Sequence, residues 1–351
     1  MTTIEKAGEA RGTAAAPGRF RAGFGRLLTE SPLLVGLLLL VALFTALSAD
    51  FLTLDNMRVV GLQSAQLGIV AVGVALLVLC GHVDLSVGST MGLCGVLAGY
   101  LMSNADVSPL LAALVALGAG ATVGALNGFM CAYLGFSPIV VTLGMLTAVH
   151  GVTFLITSGT VFGFGDGFGT LGNGSVAGIP VPVLIAAAVF ALGAIFLTLA
   201  PGGRHVYAIG VNREAAYLAG IPVRRLPFVL FVLTGLLAAL AGLIETARLD
   251  SAPASSLGVG FELNVLTAVL LGGIAFNGGR GNLLGVLAGV LFLGVLQNGL
   301  AIMNVPFAWQ AIASGLALVL SIGLDSITTK LSDRWRAKRR RAAEAIEAAG
   351  A

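Results

Sequence analysis

Residues 61–80 read GLQSAQLGIVAVGVALLVLC, twenty positions without a charged side chain. As a helix at about 1.5 Å per residue the stretch is about 30 Å long, which matches the hydrocarbon core of a bilayer. Gln63, Ser64 and Gln66 cluster at its start, and the remainder is apolar on every face. A helix with no polar face has no side to offer to water, so it belongs in lipid or among other helices.

Outward from this stretch the same signal recurs. Apolar segments run over 32–49, 60–80, 86–104, 108–131, 138–157, 181–200, 227–247, 263–276, 282–303 and 306–324. The composition agrees: 57% of the 351 residues are hydrophobic and 10% are charged, too few charges to cover a water-soluble surface. The predicted fold is an all-α, polytopic membrane bundle of about ten helices. Segment 263–276 is short for a span and is expected to be tilted, broken or partly re-entrant. Residues 1–31 are predicted to be a disordered tail, 32–324 the membrane domain and 325–351 a basic tail. The first apolar run follows acidic as well as basic residues, so it reads as an anchor that stays rather than a cleaved signal.

Charge predicts orientation. With ten spans, 17 of the 19 Lys and Arg residues fall on the side of both tails and of the loop 201–226, leaving Arg58 and Arg248 opposite. By the positive-inside rule both termini are cytoplasmic. The basic residues lie in tails and loops, which argues against nucleic acid as a partner. Cys80, Cys94 and Cys131 form no CxxC and lie in or beside apolar runs, where buried free thiols are expected. The three histidines are scattered, no acidic pair stands within a span and no GxxxxGK[ST] occurs. The chain itself is therefore expected to hold no metal, cofactor or ATP, and a membrane enzyme or a proton-driven carrier is disfavoured.

The loop 201–226 contains NREAAYLAGIP at 212–222. Asn212 suits an N-cap, Glu214 the first turn, Gly220 a left-handed C′ position, and Pro222 forbids continuation. A helix of about two turns over 213–219 follows, too short to span and marginal unless docked.

Glu214-Ala215-Ala216 with Gly220 resembles the EAA-x-x-x-G coupling element of ABC-importer permeases. Gly81-His82-Val83-Asp84-Leu85-Ser86-Val87-Gly88-Ser89 is similar to the G-G-I-D-L-S-V-G-S signature of ribose-type sugar permeases, with His82 in place of the second Gly. Leu271 through Gly281, including Gly278, Gly279, Arg280 and Gly281, is similar to that family's L-G-G-x-x-x-x-G-G-[KR]-G segment. The resemblance covers residues 45–325. It implies a permease subunit in a bacterial inner membrane that moves a monosaccharide or related polyol by alternating access. Its implied partners are a separate ATP-hydrolysing subunit docked on the 201–226 loop through Asn212, Glu214, Ala215, Ala216 and Gly220, an extracytoplasmic sugar-binding protein and a second permease copy. A branched-chain amino-acid permease of related architecture is the alternative.

Asp84 stands between two apolar runs. It reads either as a residue of the transport path or, preferably, as a cap on the helix that begins near Ser86. Gln63, Gln66, Asn127, His150, Asn264, Gln297 and Asn298 are polar groups within spans. Each is either an interhelical tether or part of a neutral polar path fit for sugar hydroxyls. Gly120, Gly124 and Gly128, and likewise Gly281, Gly285 and Gly289, repeat at i, i+4, i+8 and predict close helix packing.

Overall fold

A computed structural model describes residues 32–164, 166–306 and 308–320. The chain opens with helices α1 (Pro32–Leu47), α2 (Leu54–Leu79), α3 (Val87–Asn104) and α4 (Pro109–Gly128), the last running into a π-helical turn, Phe129–Tyr133. Helix α5 (Pro138–Ile156), strand β1 (Thr160–Phe162), helix α6 (Asp166–Asn173), strands β2 (Ser175–Val176) and β3 (Ile179–Pro180) and helix α7 (Val181–Leu199) follow. Then come α8 (Pro201–Val211), α9 (Arg213–Leu218), α10 (Arg225–Leu249), strand β4 (Ser251–Pro253), α11 (Phe261–Leu271) and α12 (Leu283–Ile302). A further apolar helix, α13, covers Ala308–Leu320. The predicted tails, 1–31 and 325–351, lie outside the described residues.

A helix overlaps each of the ten apolar segments. Among the described residues six helices are both long and apolar enough to cross a membrane: α2, α4 with its π turn, α5, α7, α10 and α12. Helices α1, α11 and α13 are apolar but shorter. Helix α3 is 18 residues long, with Gly, Ser and Thr diluting its hydropathy.

The all-round apolar stretch that opened the sequence reading is the axis of the bundle. Every residue from Ser64 to Leu79 is buried. Helices α7, α10, α11 and α12 surround α2, so its lack of a polar face reflects protein on all sides rather than lipid. Helix α10 packs most extensively on α4. There a Cβ on Gly124 would strike the Phe231 carbonyl, and one on Gly235 the Gly120 carbonyl. The small-residue stripe on α4 is thus a helix-packing seam, as spacing predicts. The second stripe is only partly on a helix. Gly285 and Gly289 press on the carbonyls of Gly272 and Ala268, whereas Gly281 lies in the turn before α12, at φ 128.

The short segment 263–276 holds a helix of only eleven residues, α11, and a non-helical run precedes it. Helix α10 ends at Asp250 in the left-handed conformation. Strand β4 pairs antiparallel with β1, and residues 254–260 then run along α3 without forming a helix. A Cβ on Gly88 or Gly92 would strike the carbonyls of Gly258 and Leu257, so these glycines form the bed for that run. Turn bonds such as Leu257 N to Pro253 O (3.0 Å) and Phe261 N to Gly258 O (3.2 Å) occupy part of its backbone. Non-helical backbone at membrane depth is tolerated where protein covers it. Helix α11 follows this run and stops at Leu271, earlier than the 276 expected from hydropathy.

Candidate functional site

The helix expected over 213–219 is α9, Arg213–Leu218. Asn212 Oδ1 accepts from the amides of Glu214 (3.0 Å) and Ala215 (2.9 Å), as an N-cap should. At the other end Ile221 N donates to Ala216 O and Gly220 N to Tyr217 O, both at 3.0 Å, with Gly220 at φ 78. That pair of bonds is a Schellman cap, which a residue with a Cβ would strain. Only Ala216, 4% exposed, faces the bundle. Tyr217 and Leu218 are 67% and 82% exposed, and Glu214 and Ala215 also face outward. The helix therefore presents an outer face of Arg213, Glu214, Ala215, Tyr217 and Leu218 at one end of the bundle.

Behind α9 three turns distant in sequence meet through backbone. Gly279 N donates to Leu79 O at 2.9 Å, joining the Gly278–Gly281 turn to the end of α2. Gly210, the last glycine of α8, lies against both: a Cβ there would fall on Leu79 O and 2.5 Å from Gly279 N. Tyr207 Oη donates to Gly281 O at 2.9 Å. Burial pushes the Tyr207 phenol above its ordinary pKa. Arg280 contributes its carbonyl, which accepts from Ala275 N at 3.0 Å and closes the turn. A cavity of about 370 Å³ adjoins the joint, lined among others by His82, Ser137, Gly210, Arg213 and Asn277. Sequence reasoning passed over Tyr207 and Gly210. The buried spacing Gly203, Val206, Ile209 on α8 was the signal that could have marked that helix as docked.

Asp84 is 3% exposed. Helix α3 begins at Val87 with Ser86 at its N-cap position, and the Asp84 carboxylate does not reach the first-turn amides of that helix. Instead Oδ1 accepts from Ser86 N (2.8 Å) and Ser86 Oγ (2.7 Å), the i to i+2 turn open to Asp side chains. Asn127 Nδ2 donates to Ser86 Oγ at 2.8 Å and lies 3.5 Å from Asp84 Oδ2. The motif residues Asp84 and Ser86 thus fasten the α2–α3 turn to α4. The third, Gly88, is part of the bed for residues 254–260.

The in-span polar residues separate into tethers and cavity groups. Asn298 exchanges two bonds with Asn56 (2.8 and 3.0 Å), Gln66 donates to Glu245, and Asn127 joins the Asp84 turn. Gln63 Oε1 is buried with no partner among the described residues. Asn264 and Gln297 line a cavity of about 290 Å³ with Gln310 and Ser314. His150 lines another of about 270 Å³ with Ser89, Thr147 and Glu262. Among the described residues no group of His, Cys, Asp and Glu is arranged to hold a metal.

Comparison with known proteins gives this architecture relatives. Residues 57–322 match the family described as branched-chain amino acid transport system/permease component. The chain is 38% identical over 304 residues to the ribose import permease protein of Escherichia coli K12, covering 85% of this chain and 94% of that one. It is 34% identical over 297 residues to the D-allose transport system permease protein of the same strain, covering 84% and 90%. To the L-arabinose ABC transporter permease protein of Azospirillum brasilense it is 35% identical over 331 residues, 94% of each chain. Permeases of this kind are transporters rather than enzymes, and they are integral to the membrane. The chain belongs to the ABC-importer permease family that includes the ribose import permeases.

Proposed function

We propose that this chain is the membrane subunit of a bacterial inner-membrane importer for a monosaccharide or related polyol. It lets the sugar cross by alternating access while a separate ATP-binding-cassette subunit hydrolyses ATP. The observation that carries this reading is the joint behind α9. A capped helix whose outer face is exposed follows directly on α8, which is bonded through Tyr207 to the turn that starts α12 and packs through Gly210 against the end of α2, itself bonded to that turn by Gly279 N. A push on α9 by a partner is thereby delivered to backbone rather than to flexible side chains. Residues Asn212, Glu214, Ala215, Ala216 and Gly220 form the docking element for the ATPase.

The relatives' named substrates support a sugar, delivered by an extracytoplasmic binding protein. Two copies of the chain form the pathway, each with ten membrane crossings and cytoplasmic termini. The 17-to-2 division of Lys and Arg and the common position of the 80–86, 201–226 and 272–281 turns at one end support that orientation. ATP binds on the partner, and nothing in this chain is assigned a cofactor.

The test is reconstitution of the permease with its ATPase and binding protein in vesicles. ATP-dependent uptake of radiolabelled D-ribose, D-allose or L-arabinose is expected, with no uptake of leucine. Glu214→Lys should abolish the stimulation of ATP hydrolysis by loaded binding protein while leaving insertion intact. Uptake driven by a proton gradient without the ATPase, or uptake of leucine alone, overturns the assignment.

A further inference from the structure

Two cavities flank the non-helical run before α11, and they share Val259 and Gly260. The one of about 290 Å³ lies between α11, α12 and α13. Most of its wall is apolar. Among the described residues its polar side chains are three amides and two hydroxyls, from Asn264, Gln297, Gln310, Thr267 and Ser314, and no charged side chain lines it. Gln297 sits about 21 Å along α12 from the end that meets the α8–α9 joint, so the cavity belongs to the opposite half of the bundle.

The hydrogen bonding of these amides is incomplete. Gln297 Nε2 donates to Asn264 Oδ1 at 3.3 Å and to Ser314 Oγ at 3.4 Å, both long for such bonds. Gln310 Nε2 donates to Val305 O at 2.8 Å. Among the described residues nothing bonds the Asn264 amide nitrogen or the amide oxygens of Gln297 and Gln310. Unused donors and acceptors therefore face a space of about ten liquid waters' volume, the scale of one sugar ring. A few convergent polar groups in an apolar cleft are the usual make-up of a small-molecule site.

We propose that this cavity is a binding subsite for a single monosaccharide, with Asn264, Gln297 and Ser314 reading its hydroxyls. The proposal rests on the sugar-importer reading and narrows it to a place. Each sugar hydroxyl both donates and accepts, and an amide offers both partners side by side. A zwitterion would leave two charges without counter-charge here, and an apolar solute would leave the amides unsatisfied. The long bonds among Gln297, Asn264 and Ser314 are ones a hydroxyl can replace at little loss.

The experiment uses the complete transporter in vesicles, with initial uptake of radiolabelled D-ribose, D-allose and L-arabinose at saturating loaded binding protein. Gln297→Met and Asn264→Leu should slow uptake of at least one sugar about tenfold, the size of one lost hydrogen bond to a polar substrate, and should change the ratios among the three. A merely structural defect lowers all three alike. Ser314→Ala removes one oxygen, so it keeps the test alive if the larger changes fail to insert. Ser314→Cys adds a second readout, because the native thiols Cys80, Cys94 and Cys131 are all buried. Turnover of sugar should slow its reaction with a small thiol reagent. Unchanged ratios together with unprotected Ser314→Cys overturn the subsite while wild-type uptake leaves the importer reading standing. Absence of uptake of all three sugars by the wild type overturns both.

Discussion

Gly210→Ala tests the joint behind α9 most directly. The new Cβ would lie 2.5 Å from Gly279 N and 3.0 Å from Gly279 Cα, and closer still to Leu79 O. All three neighbours are backbone atoms, so no rotamer change relieves the clash. Restoring normal contact requires parting the turns by on the order of 1 Å. That displacement stretches the 2.9 Å bond between Gly279 N and Leu79 O beyond hydrogen-bonding range. The lost bond costs about 1 kcal/mol and the forced repacking a further 1–3 kcal/mol, about 2–4 kcal/mol together. Such a change shifts the balance between joined and parted turns by roughly 30-fold to several-hundred-fold. The assay pairs thermal unfolding of the purified permease with stimulation of ATP hydrolysis by loaded binding protein in the reconstituted transporter. A melting point several degrees lower and a loss of most of the stimulation are expected. Gly118→Ala and Gly144→Ala are the controls, since a Cβ at either helical position meets nothing within 4 Å, and both should be neutral or slightly stabilising. Wild-type melting together with wild-type stimulation in Gly210→Ala would falsify the close-contact argument.

Asn212→Ala removes the Oδ1 that accepts from both amides at the start of α9 and should cost about 1 kcal/mol of local stability, visible as faster hydrogen exchange of the Glu214 and Ala215 amides. Equal exchange in the two proteins would count against the cap. Tyr207→Phe deletes the 2.9 Å bond to Gly281 O and should destabilise by about 1 kcal/mol, more mildly than Gly210→Ala because no clash is added. A larger effect than that of Gly210→Ala would reverse the ranking of contacts drawn above. Asp84→Ala strands Ser86 N and Ser86 Oγ in a buried turn and should lower stability by about 1–3 kcal/mol, whereas Asp84→Asn keeps an acceptor and should lose less. If the two substitutions behave alike in thermal unfolding, the turn does not depend on that acceptor.

The ends of α9 were legible because capping is local chemistry. Asn212, Gly220 and Pro222 each act on backbone within three residues, and the helix lies within one residue of its expected range. Hydropathy likewise located every apolar helix, since the need to satisfy backbone inside hydrocarbon admits few alternatives. Asp84 was less legible. Its residue type fits a cap or an Asx turn equally, and the helix start one residue later, at Val87, decided for the turn.

The polar residues within spans were least legible of all. Asn298 looked the same in sequence as Asn264, yet one meets Asn56 across 242 positions and the other lines a cavity. The break ahead of α11 and the meeting of Gly210 with Leu79 and Gly279 were also invisible, because each depends on a neighbour remote in the chain. By itself the sequence determined that this protein is a bundle of membrane helices, with a capped helix in its 201–226 loop and the motifs of its family. Tertiary structure alone decided which helix is the axis, which polar groups are spent on tethers and which remain free around a cavity. The reason is physical: lipid and protein are equally apolar surroundings for Leu or Val, so an apolar helix carries no mark of the face it turns inward.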